Sequence, residues 1–200
     1  MRKSVSPPEA AGSLRDGKVV LVPTETVVGL VAAESGLARV REIKGRDADK
    51  PIALLCASSE EAFALAASVP PLACKLASLY WPGPLTLVLD RVGGGTVGVR
   101  VPTNSAVREV LEAYGGPLFA TSANRSGEAA PKGLEEVAPE VSGAVDLVVE
   151  GEPGSGEASA VVDLSEGRVR LLRATEELAG ERLARLARDR DRSSGASGDV

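Results

Sequence analysis

Short apolar runs that end in turn residues alternate with amphipathic segments along most of the chain. Residues 18–22 (Lys-Val-Val-Leu-Val) precede Pro23, and this pattern predicts a buried strand. Leu37, Val40 and Ile43 share one face of a predicted helix over residues 37–44. The same reasoning predicts strands over residues 52–56, 85–89, 96–101, 118–121, 146–150, 160–164 and 169–172, and helices over 59–67, 72–80 and 105–114. Strands and helices in this mixed order predict an α/β fold, with helices packed on a sheet.

The length of 200 residues favours one domain with short appended ends. We expect a flexible N-terminus over residues 1–8 and the domain itself over residues 9–175. Residues 176–187 are predicted to form a C-terminal helix, because Leu178, Leu183 and Leu186 follow helical spacing. Residues 188–200 are polar and charged and are expected to be disordered. Residues 151–157, rich in glycine, are predicted to form a flexible loop inside the domain.

Composition excludes several classes of chemistry. The sequence contains no histidine, which removes Ser-His-Asp and Cys-His hydrolysis and histidine-ligated metal sites. Its two cysteines, Cys56 and Cys74, are too few for a disulfide framework or a four-thiolate zinc site. Both are expected to be buried small side chains. Two Phe, two Tyr and one Trp are too few to build a stacking platform for single-stranded nucleic acid.

Charge is unevenly distributed along the chain. The formal net charge is −5, but residues 126–158 alone carry eight acidic residues against one lysine. The remainder is therefore slightly positive, and a basic pocket is compatible with an acidic protein. No apolar run approaches the ~20 residues of a membrane span. The first eight residues lack the apolar stretch of a secretory signal, so a cytoplasmic protein without membrane association is expected.

Four polar segments follow or end apolar runs, where α/β proteins commonly place their sites. They are residues 23–26, residues 44–51 with Lys44 and Arg46, the strand end at Arg100, and residues 121–127 with Ser122 and Asn124. Guanidinium forks, ammonium groups and turn amides suit phosphate or carboxylate oxygens. Taken singly, each segment also fits a simpler interpretation: a solvated charged loop, a surface ion pair, or a turn stabilised by its own side chains.

The order of these segments is more specific than any one of them. Taken together they resemble the YrdC family, through motifs that span roughly residues 9–175. The motifs are Pro-Thr-Glu-Thr-Val-x-Gly-Leu at 23–30, Lys-x-Arg-x-x-x-Lys-Pro at 44–51, Trp-Pro-Gly-Pro-Leu-Thr at 81–86, Val-x-Val-Arg-x-Pro at 97–102, Ser-x-Asn-x-Ser-Gly at 122–127, Ser-Ala-Val-Val-Asp at 159–163 and Leu-Arg at 172–173. The resemblance implies a single YrdC-like domain in the family's short form. Such a domain is a twisted mixed β-sheet flanked by helices, with a basic concave site.

The resemblance also implies an activity, that of an L-threonylcarbamoyladenylate synthase. Such a nucleotidyltransferase condenses L-threonine, bicarbonate and ATP and releases pyrophosphate, and its product serves the threonylcarbamoyl modification of tRNA adenosine 37. By resemblance, the catalytic tetrad that holds the nucleotide phosphates corresponds to Lys44, Arg46, Ser122 and Asn124. Thr24, Arg100 and Ser159 would bind L-threonine, and Thr96 and Arg173 would lie on the ATP side. Magnesium is expected to arrive with ATP and not on dedicated protein ligands.

Several positions depart from the family's pattern, among them Val28, Leu55, Thr121 and Ala160. They leave open a diverged paralogue that forms a carbamoyl-adenylate with another acceptor. A carbamoyl-adenylate enzyme of the hydrogenase-maturation type would carry further domains that 200 residues cannot hold. A non-catalytic RNA-binding module is the other alternative, although the chain shows no Lys/Arg stripe. Partner proteins of tRNA modification and weak RNA binding are further expectations from the resemblance.

Overall fold

The computed structural model describes residues 3–45 and 51–194, with side chains up to residue 188. Its ten strands are β1 (Lys3–Ser4), β2 (Val19–Val22), β3 (Gly29–Ala32), β4 (Ala53–Leu55), β5 (Leu85–Asp90), β6 (Thr96–Arg100), β7 (Leu118–Ser122), β8 (Leu147–Val148), β9 (Ala160–Asp163) and β10 (Arg170–Arg173). Its seven α-helices are α1 (Pro7–Arg15), α2 (Leu37–Lys44), α3 (Ser59–Ala64), α4 (Pro71–Tyr80), α5 (Ser105–Tyr114), α6 (Pro139–Ala144) and α7 (Gly180–Ser194). Most lie within a few residues of the predicted segments.

The strands form one mixed sheet in the order β1-β8-β2-β3-β7-β4-β6-β5-β9-β10. Parallel pairs, such as β4 with β6 and β5 with β9, are interleaved with antiparallel pairs such as β5 with β6. The predicted mixed sheet flanked by helices is therefore confirmed. Parallel pairing of β5 with β9 brings Leu85 and Ala160, which are 75 residues apart in sequence, side by side near one edge of the sheet.

Apolar side chains from both faces of the sheet form the core. Along β2, Val19 and Leu21 pack towards α2 and α6, while Val20 and Val22 pack towards α1 and α5. In the other half of the sheet, Leu85, Leu87 and Leu89 of β5 pack against α4 and α7. Because side chains alternate along a strand, the remaining residues of β5 face the opposite side of the sheet. That side holds the cavity described below.

The N-terminus differs from the expected flexible segment over residues 1–8. Lys3–Ser4 forms a strand that pairs in parallel with β8, and α1 begins at Pro7. The Glu9 carboxylate accepts hydrogen bonds from the Ser6 backbone nitrogen (3.0 Å) and hydroxyl (2.9 Å). Ser6 with Glu9 three residues later is a local signal for a helix start, whereas the β1 pairing depends on a strand more than 140 residues away.

The C-terminal segment also differs from its prediction. Helix α7 begins at Gly180 and ends at Ser194, so residues 188–194 of the expected disordered tail are helical. Residues 195–200 lie outside the described part of the chain. Leu178, Leu183 and Leu186 are buried against α4, as their spacing predicts. None of the described helices is long and apolar enough to cross a membrane.

The two cysteines have different environments. Cys56 follows β4 and is fully buried, and burial, followed by the nearby Glu61 charge, raises the pKa of its thiol to about 12. Cys74 lies on α4 and is exposed, so the expectation that it is buried is wrong. The buried face of α4 consists of Leu72, Ala73, Leu76 and Ala77, and Cys74 points away from that face.

Candidate active site

A cavity of about 330 Å³ lies on the face of the sheet opposite α4 and α7. Alternation along the strands accounts for its walls: Thr86 and Val88 of β5, Gly98 and Arg100 of β6, and Val161 of β9 all point into it. The predicted site residues among its lining residues are Thr24, Thr96, Arg100, Ser122, Ser159 and Arg173. Six positions spread over 150 residues of sequence therefore converge on one concave surface.

Arg100 is the most strongly fixed charge in the cavity. It is 7% exposed, and its Nη2 donates to Glu25 Oε1 at 2.6 Å and to the Thr26 hydroxyl at 3.0 Å. Its Nε donates to the Gly83 carbonyl oxygen at 3.2 Å. Among the described residues no hydrogen bond uses Nη1. The guanidinium is thus held on two sides and keeps one edge for an anion in the cavity.

The loop between β2 and β3 carries Thr24, whose side-chain hydrogen bonds to described residues all lie within that loop. Its hydroxyl donates to the Val27 carbonyl oxygen (2.7 Å) and lies 2.9 Å from the Thr26 hydroxyl. The Thr26 and Val27 backbone nitrogens donate back to the Thr24 oxygen. Since the single Thr24 proton goes to a carbonyl oxygen, the Thr26 hydroxyl is the donor between the two. These bonds stabilise the loop in one conformation.

A second hydroxyl network supports Arg173. The Ser159 hydroxyl lies 2.9 Å from that of Thr86, and both side chains are buried. Arg173 donates from Nη2 to the Ser159 hydroxyl (3.1 Å) and from Nε to the Ser159 carbonyl oxygen (2.5 Å). Desolvation at the cavity wall and, second, the positive charge of Arg100 lower the pKa of Arg173 from its ordinary value. No ion pair among the described residues includes Arg173, so the cavity has positive charge available for an anion.

Lys44 ends α2 and points into the turn that follows β7. Its ammonium lies within hydrogen-bond distance of the carbonyl oxygens of Ser122 (2.6 Å) and Asn124 (2.7 Å) and of the Asn124 Oδ1 (3.1 Å) and Ser122 Oγ (3.4 Å). Lys44 is 4% exposed and does not line the cavity, and neither does Asn124. The ammonium thus stabilises the turn that presents Ser122. Arg46, the fourth predicted member of this group, lies outside the described residues.

Comparison with known proteins assigns the fold to a family. Residues 12–175 match the model of the Sua5/YciO/YrdC family, which carries the description "Telomere recombination". The chain belongs to this family. The YrdC resemblance of the motifs is therefore confirmed, and the matched residues extend from α1 to just past β10.

Curated relatives of this YrdC-family chain carry one name. The chain is 41% identical over 177 residues to threonylcarbamoyl-AMP synthase of Pyrococcus abyssi, a match that covers 82% of this chain and 52% of the relative. It is 35% identical over 179 residues to threonylcarbamoyl-AMP synthase of Bacillus subtilis, with the same coverage of 82% and 52%. The chain spans about half the length of these two relatives.

A solved structure of a relative has the same fold. Pyrococcus abyssi Sua5 complexed with L-threonine superposes with a TM-score of 0.78 at 37% identity, over 86% of this YrdC-family chain and 56% of the other. In that complex L-threonine is bound by Pyrococcus abyssi Sua5. The cavity described above therefore lies in a fold that binds L-threonine in a relative.

The departures from the YrdC pattern fall into two groups. Leu55 and Thr121 line the cavity, while Val28, just before β3, and Ala160 of β9 are buried in the apolar core. Only the first pair is in a position to contact a ligand.

Sequence reasoning did not assign roles to Glu25, Thr26 and Thr86, which all bond directly to predicted site residues. All three occur within the quoted motifs, which is the signal that could have identified them.

Proposed function

We propose that the chain is an L-threonylcarbamoyladenylate synthase, which condenses L-threonine, bicarbonate and ATP and releases pyrophosphate. One observation carries the proposal: Arg100 and Arg173 line a single cavity together with Thr24 and Ser159. Two relatives that match 82% of the chain are threonylcarbamoyl-AMP synthases, which supports the same reaction. Because the chain spans about half of each relative, the activity of the whole protein is part of the proposal.

Arg100 supplies the amino-acid subsite. Its Nη1 edge is free for the threonine carboxylate, and Glu25 with Thr26 prevents the guanidinium from turning away. The Glu25 carboxylate neutralises part of the Arg100 charge. Arg100 would therefore hold the threonine carboxylate chiefly by directed hydrogen bonds. Thr24 and Ser159 also line the cavity. Since the Thr24 hydroxyl is occupied within its loop, the Ser159 hydroxyl is the one offered to the amine or side-chain end.

The reaction requires charge stabilisation more than proton relay. The threonine amine and bicarbonate give an N-carboxylate and water, and one carboxylate oxygen then attacks the α-phosphorus of ATP in line, expelling pyrophosphate. Two anions must approach each other, so guanidinium groups that are already in place lower the barrier. Arg173, which has no ion-pair partner among the described residues, is in position for this role. A chain without histidine can therefore support the chemistry.

The nucleotide subsite extends from Thr96 and Arg173 to the turn after β7. Ser122 lies at the cavity wall, and Lys44 fixes its backbone through the carbonyl oxygens of the turn. In this proposal Arg46 and Asn124 complete the phosphate clamp. Magnesium enters as part of the substrate, bound to triphosphate oxygens and water, which are the ligands it prefers. We further propose that the product passes to partner proteins that modify tRNA adenosine 37.

The alternative to threonine is a different amine as the acceptor, because Leu55 and Thr121 change the cavity lining relative to the family's pattern. The test incubates the protein with Mg-ATP and ¹⁴C-bicarbonate, with L-threonine, with L-serine or with no amino acid. We expect threonine-dependent label in an adenylate and an equal amount of pyrophosphate. Label with serine but not with threonine would replace threonine with another acceptor, and no label with tight ATP binding would exclude the synthase reaction.

Two arginine variants sharpen this assay. Arg100→Gln removes the guanidinium from the cavity and should lose threonine-dependent label about tenfold to a hundredfold, since a charge-assisted hydrogen bond contributes about 1.5–3 kcal/mol. Arg91→Gln removes an exposed arginine at the β5–β6 turn that does not line the cavity, and should behave as the wild type. Equal activity of Arg100→Gln and wild type would contradict the assigned amino-acid subsite.

A further inference from the structure

The segment 150–158, here called the strap, crosses the outside of the loop that carries Thr24. The sequence predicts a flexible loop over residues 151–157 of this segment, but the backbone there is hydrogen-bonded at three successive positions. Gly154 N donates to the Lys132 carbonyl oxygen (2.8 Å), Ser155 N to that of Glu25 (2.9 Å) and Gly156 N to that of Thr26 (2.7 Å). Near its start, the Asn104 side chain donates to the Glu152 carbonyl oxygen at 3.2 Å. The strap is therefore an ordered part of the fold.

Gly154 lies in direct contact with the backbone of the Thr24 loop. A Cβ atom built on Gly154 would be 2.6 Å from the Thr24 carbonyl oxygen and closer still to the Thr26 carbonyl group. Both obstacles are backbone atoms, which cannot swing aside as the end of a side chain could. Any side chain at position 154 must therefore push the strap and the loop apart.

The strap bonds directly to the loop of the amino-acid subsite. It holds the carbonyl oxygens of Glu25 and Thr26, and the Glu25 carboxylate in turn holds Arg100. Its last residue, Ala158, lines the cavity. The positions of Thr24 and Arg100 are thus linked through one short stretch of backbone.

We propose that Gly154 is a positioning residue for the amino-acid subsite: its lack of a side chain lets the strap clamp the Thr24–Thr26 backbone, and so sets where Arg100 meets the substrate carboxylate. That this substrate is L-threonine rests on the proposed function. Among the described residues outside the strap, the nearest neighbours of Gly154 are Thr24, Thr26 and Lys132, and none of them belongs to β6, β7 or β10 of the nucleotide subsite. Substitution of Gly154 should therefore raise the KM for the amino acid without changing the KM for ATP.

The test compares Gly154→Ala with Gly143→Ala, whose added Cβ in helix α6 meets nothing within 4 Å. Because displacement of a binding group by about 1 Å can cost up to about a hundredfold, we expect the KM for L-threonine to rise at least about tenfold in Gly154→Ala. The KM for ATP should stay within about twofold, and Gly143→Ala should match the wild type. An unchanged threonine KM in Gly154→Ala, or an equal rise for both substrates, would overturn the proposal.

A gentler variant covers the case in which Gly154→Ala does not fold. Asn104→Ser keeps a good cap for α5, because serine replaces asparagine well at a helix N-cap, but loses the amide that bonds the strap at Glu152. It should raise the threonine KM by a few fold without altering that of ATP. Wild-type KM values for both substrates would contradict the positioning role of the strap.

Hydrogen–deuterium exchange separates this proposal from the proposed function. Without any ligand, Gly154→Ala should speed the exchange of backbone amides over residues 24–28 but not those of α2, since the strap holds the former alone. If the wild type binds no threonine, the synthase proposal fails, while faster exchange still supports the clamp. Unchanged exchange in a folded Gly154→Ala protein refutes the clamp, whatever the substrate.

Discussion

At the scale of single residues, Lys44 shows how a charged side chain can act on a site without facing it. Its ammonium has three protons and four oxygen atoms within 3.4 Å, two of them backbone carbonyl oxygens at 2.6 and 2.7 Å. Those carbonyl groups lie in the turn after β7, so the lysine sets the turn's shape. Removal of the ammonium should then affect both stability and turnover.

Lys44→Met is the corresponding prediction. It leaves two part-buried carbonyl groups without this donor. An unsatisfied buried group costs about 1–3 kcal/mol, so urea denaturation should show a loss towards the lower end of that range, together with a loss of turnover. Lys18→Met, at an exposed lysine, serves as the control and should keep the wild-type free energy of unfolding. Wild-type stability combined with absent turnover would instead indicate that Lys44 acts on the phosphates directly.

Motif order, through the resemblance to the YrdC family, predicted several residues that the structure brings together. Thr24, Arg100 and Ser159 were grouped through motif order, and all three line the cavity. Glu25 and Thr86 received no role, because their partners lie 75 and 73 residues away in sequence and only the sheet topology brings them together. Cys74 was placed in the core by its chemistry, although the period of Leu72, Ala73 and Leu76 already put it on the outer face of α4.

At the scale of elements, α7 is attached to the domain by a narrow apolar stripe. Leu183 and Leu186 pack on α4 and β5 in the core, and the Arg182 guanidinium lies 5.4 Å from the centre of the Tyr80 ring. The remaining described faces of α7 are polar and exposed. The packing of α7 on the domain should therefore depend on Leu183 and Leu186.

Leu183→Ala tests the attachment of α7. Truncation of a buried leucine costs about 2–5 kcal/mol, so the variant should lose that much unfolding free energy in urea denaturation. Leu79→Ala, at an exposed position of α4, should change stability by less than about 0.5 kcal/mol. Equal stability of the two variants would mean that α7 does not pack as described.

Element type was easier to predict from sequence than element ends or pairing. The run Val19–Val22 is β-branched, apolar and followed by Pro23, so local preference and burial agree on a strand. The strand Lys3–Ser4 has no such signal, since its order comes from pairing with β8. The strap was predicted to be flexible because its glycines suggest freedom, yet at Gly154 the missing side chain permits close packing and restricts motion.

At the scale of the whole molecule, the cavity draws on strands from nearly the entire sheet, from the loop after β2 to β10. A ligand that contacts all of them stabilises the native state relative to an unfolded chain, in which the same residues are scattered. Ligand binding should therefore appear as a rise in the temperature of unfolding.

Mg-ATP and L-threonine, each added at about 100 times its dissociation constant, should each stabilise the native state by about 2.7 kcal/mol. For a domain of this size each kcal/mol corresponds to about 2–4 °C, so the melting temperature should rise by at least about 5 °C with one ligand and at least about 10 °C with both. Arg100→Gln should keep the ATP part of the shift and lose the threonine part. A melting temperature unaffected by either ligand would contradict the assignment of the cavity as the site.

The bonds that build the cavity join distant parts of the chain: Glu25 to Arg100, Lys44 to the turn at Asn124, and Thr86 to Ser159, across 75, 80 and 73 residues. During synthesis on the ribosome, residues near the N-terminus therefore wait for partners that are translated much later. The hydroxyl network of Thr86 and Ser159 is not complete until Ser159 and Arg173 have left the exit tunnel. A nascent chain can form α1, β2 and β3 early, but it acquires a substrate-binding surface only as β9 and β10 join the sheet.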